Sequence, residues 1–554
     1  MTAATIIHIN QEGFEATARK LCIAAGVGGT FELVCENGNG TVFSGELQGP
    51  VADAASGDEL YYGDFSAWRN EGTYRIRVGE SAVSARFAIG ERPYESLHKA
   101  LLKSFYYQRC GVALEERWAG PWKHAACHLE HGSVYGEPGV RLPSAGGWHD
   151  AGDYGKYIVP AAKAVADLLL AYELFPQSFD DELDIPESGN GVADVLDEVR
   201  FELEWMFKLQ REDGSVFHKL TTHQFPGFQC MPEHDVAELV FSPVSAAATA
   251  DLAASFALAS RIYGELDADF SARLLAAAER AWQWLERQDE WSGFRNPRDI
   301  GTGEYGDREV RDEMYWAAAE LYRATGEGGY KRKLVELLAQ GEEGQQGEQG
   351  EQDGFDLAGL GWASVAGYGT IACLMLPDEL RDEAVHERLR AFWLKRAEQL
   401  VAVHDQTGYK LTLPDDQYIW GSNMLVLNNA MHLAVADRLL GMSGVREYAL
   451  DNMHYLLGRN ALGQCYVTGF GERLWQNPHH RPSAGDGVKE PIPGMVAGGP
   501  NVGLQDDIAK AELSGLPPAR CFIDHAGSYS TGEMTVYWNS PAVFVAAYID
   551  SNRA

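Results

Sequence analysis

Between Ile6 and about Ala88 apolar and polar residues alternate in short runs, KLCIAA, TFELVC, TVFSGEL and TYRIRV, broken by turns such as VGG and ENGNG. A period of two with Gly- and Asn-rich breaks predicts a small antiparallel sandwich, an immunoglobulin-like module of about ninety residues. After the polar connector GERPYES the period becomes helical, in AAKAVADLLLAYELF, ADVLDEVRFELEWMFKLQ, SAAATADLAASFALASRIY, ARLLAAAERAWQWLERQ, EMYWAAAELYRATG, ERLRAFWLKRAEQLVAVH, NMLVLNNAMHLAVADRLL and TVYWNSPAVFVAAYI. About a dozen such segments, several apolar on two sides, predict a closed double layer of helices, an α/α barrel with its chemistry on the loops of one end. The expected organisation is therefore multidomain, an all-β immunoglobulin-like sandwich over residues 1–92 followed by an all-α barrel over residues 93–554. The acidic run QGEEGQQGEQGEQDG, Gln340 to Gly354, has no apolar anchor and predicts a disordered surface loop.

Composition narrows the function. A chain of 554 residues with 45% hydrophobic residues is too long for one compact core, and its net charge of -34 lacks the cationic field that nucleic acid or an anionic membrane requires. The ligand is expected to be neutral or cationic. The 14 Trp suit stacking on sugar faces, although most Trp are core residues. No basic region followed by an apolar one opens the chain, and no stretch approaches the roughly 20 apolar residues of a membrane span. The expectation is a soluble, cytoplasmic protein, or a secreted one if a leader has been trimmed. Eight scattered cysteines suit free thiols or a metal site better than a disulfide scaffold.

The segment GGWHDAGDYGKY sets Asp150 and Asp153 three residues apart, ahead of an apolar helix. Two carboxylates held close can orient one water while an opposed carboxylic acid protonates a leaving oxygen. A bare Asp-x-x-Asp is equally a helix cap. The flanking residues decide between these, because the segment resembles the GGWxDAGD loop of glycoside hydrolase family 9. Two further stretches fit that family's signatures, YVTGFGERLWQNPHHR (Tyr466 to Arg481) and FIDHAGSYSTGEMTVYWNS (Phe522 to Ser540). The sandwich followed by PESGNGVADVLDE and FPGFQCMPEHD is similar to the subgroup with an N-terminal immunoglobulin-like domain, and implies an (α/α)6 barrel.

Carried over residue by residue, the resemblance implies Asp153 as general base, Asp150 as its partner on the attacking water and Glu533 as general acid, with Asp524 orienting the acid or influencing its proton. His479 and Arg481 match the family's sugar-binding loop, and Tyr529 and Trp148 are further expected substrate contacts. Tyr529, Tyr537 and Trp538 are placed by sequence to desolvate Glu533 and raise its pKa, as an acid requires. Inversion needs room for a water, with carboxyls roughly 6.5–9.5 Å apart.

By spacing, Cys110, Cys127-His128 and His149 read either as buried thiols with capping histidines or as the two thiolates and two imidazoles of a tetrahedral site. The resemblance implies a structural zinc there, clamping the catalytic loop from behind. It also implies calcium, for which Asp307, Asp312 and Glu313 offer hard oxygens at a helix start, where acids equally complement the helix dipole. The family's later Trp-Asp ligand is missing, since the comparable stretch reads GLGWASVAGYG. Glu187, Asp194, Asp197 and Glu198 form a second calcium candidate, and no organic cofactor is expected.

The expected function is an inverting endo-β-1,4-glucanase acting on soluble glucans and cello-oligosaccharides, because no cellulose-binding module is visible. Trp148, Trp420, Trp475 and Trp538 are candidates for stacking sugars. The alternative is an exo-acting relative, a cellobiohydrolase, β-glucosidase or exo-β-glucosaminidase, with Asp415-Asp416 or Glu233-His234-Asp235 closing one end of the cleft. A binding protein that has lost catalysis predicts a missing carboxylate, and none is missing. The protein is expected to be a monomer without nucleic-acid or membrane partners, its sandwich packed on the barrel.

Overall fold

The computed structural model describes residues 6–36, 38, 40–345 and 355–551. The alternation up to Gly90 becomes nine strands: β1 (Ile6–His8), β2 (Gly13–Glu15), β3 (Leu21–Ala25), β4 (Gly29–Cys35), β5 (Thr41–Asp53), β6 (Asp58–Asp64), β7 (Gly72–Val78), β8 (Ala82–Val83) and β9 (Phe87–Gly90). They run in the order β1-β3-β6-β5-β4-β7-β9-β2, with β8 on β7. The long β5 makes the sandwich, pairing antiparallel with β4 through Thr41 to Leu47 and with β6 from Gln48 to Asp53, with a bulge between Gln48 and Val51. Inward positions follow the period of two: Tyr74, Ile76 and Val78 of β7 are buried and the residues between them are not. Phe14 meets Phe65 and Phe87 edge to face in the centre of this core. Each such ring contributes about 2–3 kcal/mol through its burial.

Residues 1–104 and 397–554 form one compact unit and residues 105–396 a second. In the first, the helix Ser422–Leu440 packs on Arg446–Leu456 and Val536–Ser551. The sandwich is bonded to this helical part of its own unit: Asn10 Nδ2 lies 2.8 Å from His454 Nδ1, Gln11 donates to the Gly463 carbonyl, and Asp53 accepts from the Gly408 amide.

In the second unit the helix Ala246–Tyr263 lies between Ile158–Leu174, Ala268–Glu286 and Arg311–Thr325. Its run SAAATADLAAS is buried on every side, and alanine faces let neighbouring backbones approach closely. Ser245 starts it, its hydroxyl accepting from the Ala248 amide. Twelve helices of nine residues or more occur among the described residues, the number a six-fold double ring requires. A feature the periodicity does not announce is a five-stranded sheet, built from β10 (Gly132–Val134), β11 (Glu137–Leu142), β12 (Lys156–Tyr157), β13 (Lys219–Thr221) and β14 (Val240–Phe241). Strands of two to six residues are too short to show a period.

The expected disordered run is corrected at its start. The helix Gly328–Gln345 includes residues 340–345, because buried Leu337 and Leu338 anchor the preceding turn and Glu and Gln extend a helix readily. Residues 346–354 lie outside those described.

Candidate active site

The segment Gly146–Tyr157 is fixed almost entirely by its own neighbours. Gly147 has φ +73, and a Cβ there would sit 2.6 Å from the Trp205 ring, so the turn requires glycine. Trp148 donates its amide to Glu202 (2.5 Å) and its indole N–H to Glu198 (2.8 Å), and Arg109 binds Glu198 and Glu187 together. Gln108 Nε2 donates to the carbonyls of both His149 and Ala151. The turn closes when the Asp150 amide donates to the Gly155 carbonyl and the Gly155 amide to Asp153 Oδ1 at 2.7 Å. These bonds hold the two aspartates in one orientation.

Trp148 is only 2% exposed and packs on Phe105, so it has no face to offer a sugar. The expectation of substrate contact is corrected by this burial: Trp148 anchors the loop. Glu187 and Glu198 are spent on Arg109 and are likewise not open as calcium ligands.

Asp150 is enclosed, and Tyr305 donates to its Oδ2 at 2.6 Å while its Oδ1 is buried without a hydrogen-bond partner. Burial pushes the Asp150 carboxyl well above the usual range, the Tyr305 bond opposes this, and the charge of Asp153 adds to it. Tyr305 has φ +46, uncommon for an aromatic residue, and its ring lies between Tyr157 and Trp362. Lys219 bonds to the carbonyl of Gly303 and to Thr302, and burial lowers its pKa to about 7 against the pull of Asp153 and Glu304. Neither Tyr305 nor Lys219 was singled out in the sequence, where each sits in an unremarkable loop or strand.

The four expected metal ligands converge. One atom from each of Cys110, Cys127, His128 and His149 lies within 4.8 Å of the others. His149 Nε2 is buried with no hydrogen-bond partner, and burial keeps the ring neutral by lowering its pKa to about 4. Burial works against the Cys110 thiolate, but Cys127 and the charge of Lys156 hold its pKa well below the usual thiol value. Two thiols and two imidazoles at this separation, one imidazole nitrogen bare, fit a tetrahedral divalent metal. Asp235 lies 3.5 Å from His128 Nε2, on the far side of that ring from Cys110. A carboxylate in this position fixes the tautomer that offers Nδ1. No motif in the sequence announces Asp235 in that role.

Asp307, Asp312 and Glu313 are each buried, as is a fourth carboxylate that the sequence did not reveal, Asp251, but among the described residues it is the Cys110, Cys127, His128 and His149 set, and not these acids, whose ligand atoms come within 4.8 Å of one another.

Glu533, Asp524, His479, Arg481 and Tyr529 belong to the other unit and form a second constellation. The His479 backbone runs beside Glu533 in a parallel bridge, its amide donating to the Gly532 carbonyl at 2.6 Å. His479 Nδ1 lies 2.8 Å from the Ala526 carbonyl, which sets the ring, and burial lowers its pKa. Arg481 opens a short helix capped by His480, and both are buried. Asp524 accepts from the amides of Gln476 and Asn477, so it ties the loop that leads to His479. Asp506, missed in the sequence, accepts from Ser528 and from the amide and hydroxyl of Ser530, fixing the turn that carries Tyr529 towards Glu533. Trp475 and Trp538 are buried, whereas Trp420 is 41% exposed with its ring centre 5.5 Å from that of Tyr529. Of the four tryptophans considered for stacking, Trp420 alone presents a face.

Comparison with known proteins gives the context. The pattern described as Glycosyl hydrolase family 9 matches residues 94–546, and that described as Cellulase N-terminal ig-like domain matches residues 2–82. A cellodextrinase from Butyrivibrio fibrisolvens is 40% identical over 549 residues, covering 98% of this chain and 99% of the relative. A solved structure of a single mutant of the thermostable endoglucanase from Alicyclobacillus acidocaldarius has a TM-score of 0.89 at 41% identity, over 98% of both chains. The Zn-binding triple mutant of the family 9 endoglucanase J30 has a TM-score of 0.88 at 32% identity, over 96% of this chain and 99% of that one. The fold class is thereby an N-terminal β-sandwich followed by the helical (α/α)6 barrel of these neighbours.

Proposed function

Because the chain belongs to glycosyl hydrolase family 9, and is therefore a hydrolase of glycosidic bonds, we propose that it is an inverting endo-β-1,4-glucanase acting on soluble glucans and cello-oligosaccharides. The observation that carries this reading is the rigid loop of Asp150 and Asp153, in which Tyr305 takes one Asp150 oxygen and leaves the other bare. In this reading Asp153 takes the proton of the attacking water, Asp150 Oδ1 holds that water, and Glu533 protonates the leaving oxygen. His479 and Arg481 bond to sugar hydroxyls, Tyr529 and Trp420 bear a sugar face, and Asp524 acts through the loop it ties. Residues 1–92 and 93–554 are the two domains in sequence terms.

Zinc is the metal we assign to Cys110, Cys127, His128 and His149, in a structural role; it would supply a fixed charge behind the catalytic loop, as the buried bare nitrogen of His149 supports. Calcium is the cation we assign to Asp307, Asp312 and Glu313.

The name of the Butyrivibrio relative favours short soluble chains as substrates. A time course on cellohexaose and chitosan hexamer, with Asp153→Asn and Glu533→Gln as controls, tests the whole reading. Internal cuts of cellohexaose releasing α-anomers, lost in both variants, are expected. Stepwise release of one sugar from an end, or retention of the β-anomer, would overturn it.

A further inference from the structure

The loop of residues 302–305 ends on Tyr305, whose φ of +46 a bulky residue rarely adopts, so its surroundings must hold the chain there. Two adjacent side chains at the head of β13 supply that hold. Lys219 Nζ donates to the Gly303 carbonyl at 2.5 Å and to the Thr302 hydroxyl at 3.1 Å, and His218 Nε2 lies 3.0 Å from the Glu304 carbonyl. The three residues that precede Tyr305 are thus all bonded to two neighbouring side chains.

The proton on His218 is fixed by its other nitrogen. Ser245 Oγ accepts from the Ala248 amide at the start of its helix, which leaves the hydroxyl proton for His218 Nδ1, 2.9 Å away. Nε2 therefore carries the ring proton and donates to the Glu304 carbonyl. The ring is wholly buried and stacks on Phe294 with centroids 3.7 Å apart, and burial keeps it neutral. The backbone of the same two residues is committed elsewhere. The Ile158 amide donates to the His218 carbonyl, and Lys219 pairs with Tyr157 in β12, directly after the loop of Asp150 and Asp153. One short segment is therefore bonded through its backbone to the chain that carries the aspartates and through its side chains to the chain that carries Tyr305.

We propose that His218 and Lys219 are positioning residues for hydrolysis, holding the Glu304 and Gly303 carbonyls so that the Tyr305 hydroxyl stays on Asp150 Oδ2 and Oδ1 is left for the attacking water; this rests on the reading of Asp150 and Asp153 above. Neither side chain touches a reacting atom. Their effect passes through a single bond, from Tyr305 to Asp150, and this separates it from general support of the fold. Once the Tyr305 hydroxyl is gone, loosening the loop has nothing further to misplace.

The test is a double-mutant cycle on the full chain, read by steady-state hydrolysis of cellohexaose. His218→Gln and His218→Asn both lose the ring stacked on Phe294, but only glutamine is long enough to place an amide N–H where Nε2 stood. His218→Asn is expected to lower kcat about ten-fold with KM within about two-fold of wild type, and His218→Gln to restore most of that loss. In a Tyr305→Phe background, His218→Asn is expected to lower kcat by less than about two-fold, because the two changes break the same link. Lys219→Met, which keeps the aliphatic stem, is carried through the same cycle with the same expectation and takes the place of His218→Asn if that variant does not fold. Equal proportional losses of kcat in the two backgrounds, or equal kcat in His218→Gln and His218→Asn, would overturn the inference. Asp153→Asn, measured alongside, separates the two readings: wild-type kcat in that variant overturns the assignment of the aspartates, whereas an inactive Asp153→Asn beside an additive cycle overturns the positioning role alone.

Discussion

The Tyr305 hydroxyl donates to Asp150 Oδ2 at 2.6 Å, and this bond leaves Oδ1 as the Asp150 oxygen without a hydrogen-bond partner. Tyr305→Phe removes the bond without opening a cavity. We expect kcat to fall by about 10–100-fold with KM little changed, since positioning of an acid–base group contributes at that scale. The bond favours the ionised carboxylate, so its loss raises the Asp150 pKa and moves the acid limb of the pH profile to higher pH. A profile of kcat/KM that does not move would refute the assigned role.

Removal of the metal expected at Cys110, Cys127, His128 and His149 is predicted to destabilise the second unit. Chelation, or Cys110→Ser, should lower Tm by on the order of 10 °C, as several kcal/mol of binding energy are lost from a unit of this size. Asp235→Asn should weaken metal retention by about 10–100-fold, measured by competition with a chromogenic chelator. Equal retention would show that the Asp235 contact does not orient His128.

Asp451 gathers charges from three directions, accepting from Arg459 (2.7 Å), His404 (2.8 Å) and Arg19 of the sandwich. Burial works against its ionisation, yet Arg459, His404 and Arg19 together hold the carboxyl well below its usual range. Asp451→Asn leaves Arg459 buried without its counter-charge and should cost about 3–5 kcal/mol by denaturant unfolding. A cost below about 1 kcal/mol would show that solvent or another acid compensates.

Acid should unfold the first unit through its histidines before its carboxylates. Burial lowers His8 to about 4 and His454 to about 3. Both folded values lie below the unfolded value near 6.5, so the unfolded chain binds these protons first and stability falls as pH drops below about 6.5. The depressed carboxyl of Asp451 adds its loss only below about pH 4. Tm measured from pH 8 to 4 should be flat and then fall from about pH 6; a plateau extending to pH 4.5 would contradict this.

Deleting residues 1–90 should give an insoluble or inactive remainder. Tyr409 would lose Asp58 and the Gly408 amide would lose Asp53, leaving buried polar groups bare, and the partly exposed Arg446 would lose its ion pair with Glu15. A soluble, fully active truncation would refute this.

The parts of this protein legible in its sequence are those written locally. Alternation in TYRIRV gave β7, the helical period gave Ala246–Tyr263, and contiguous motifs gave the loop of Asp150 and the turn of Glu533. Residues whose meaning depends on a distant partner were not legible. Asp251 lies in an alanine-rich run where a single acid reads as a solvent-facing position, until the neighbouring helix encloses it. Tyr305 comes from a loop with no periodicity, and its positive φ is invisible in GTGEYGD. Trp148 was misjudged for the opposite reason: its motif suggests a ligand contact, but Glu198 and Glu202 turn it inward.

The first compact unit is assembled from the two ends of the chain, residues 1–104 and 397–554, with the second unit inserted between them. Gln11 and the Gly463 carbonyl are separated by 452 residues, and Asp53 and Gly408 by 355. The sandwich therefore leaves the ribosome long before the helices that satisfy its polar rim exist, and at about 5–20 residues per second it waits tens of seconds for them. During that interval the inserted unit can complete its own core. Synthesis thus imposes an order in which helices made after residue 397 close a unit begun by strands made before residue 104, and a nascent chain stalled before residue 397 would hold one unit complete and the other unfinished.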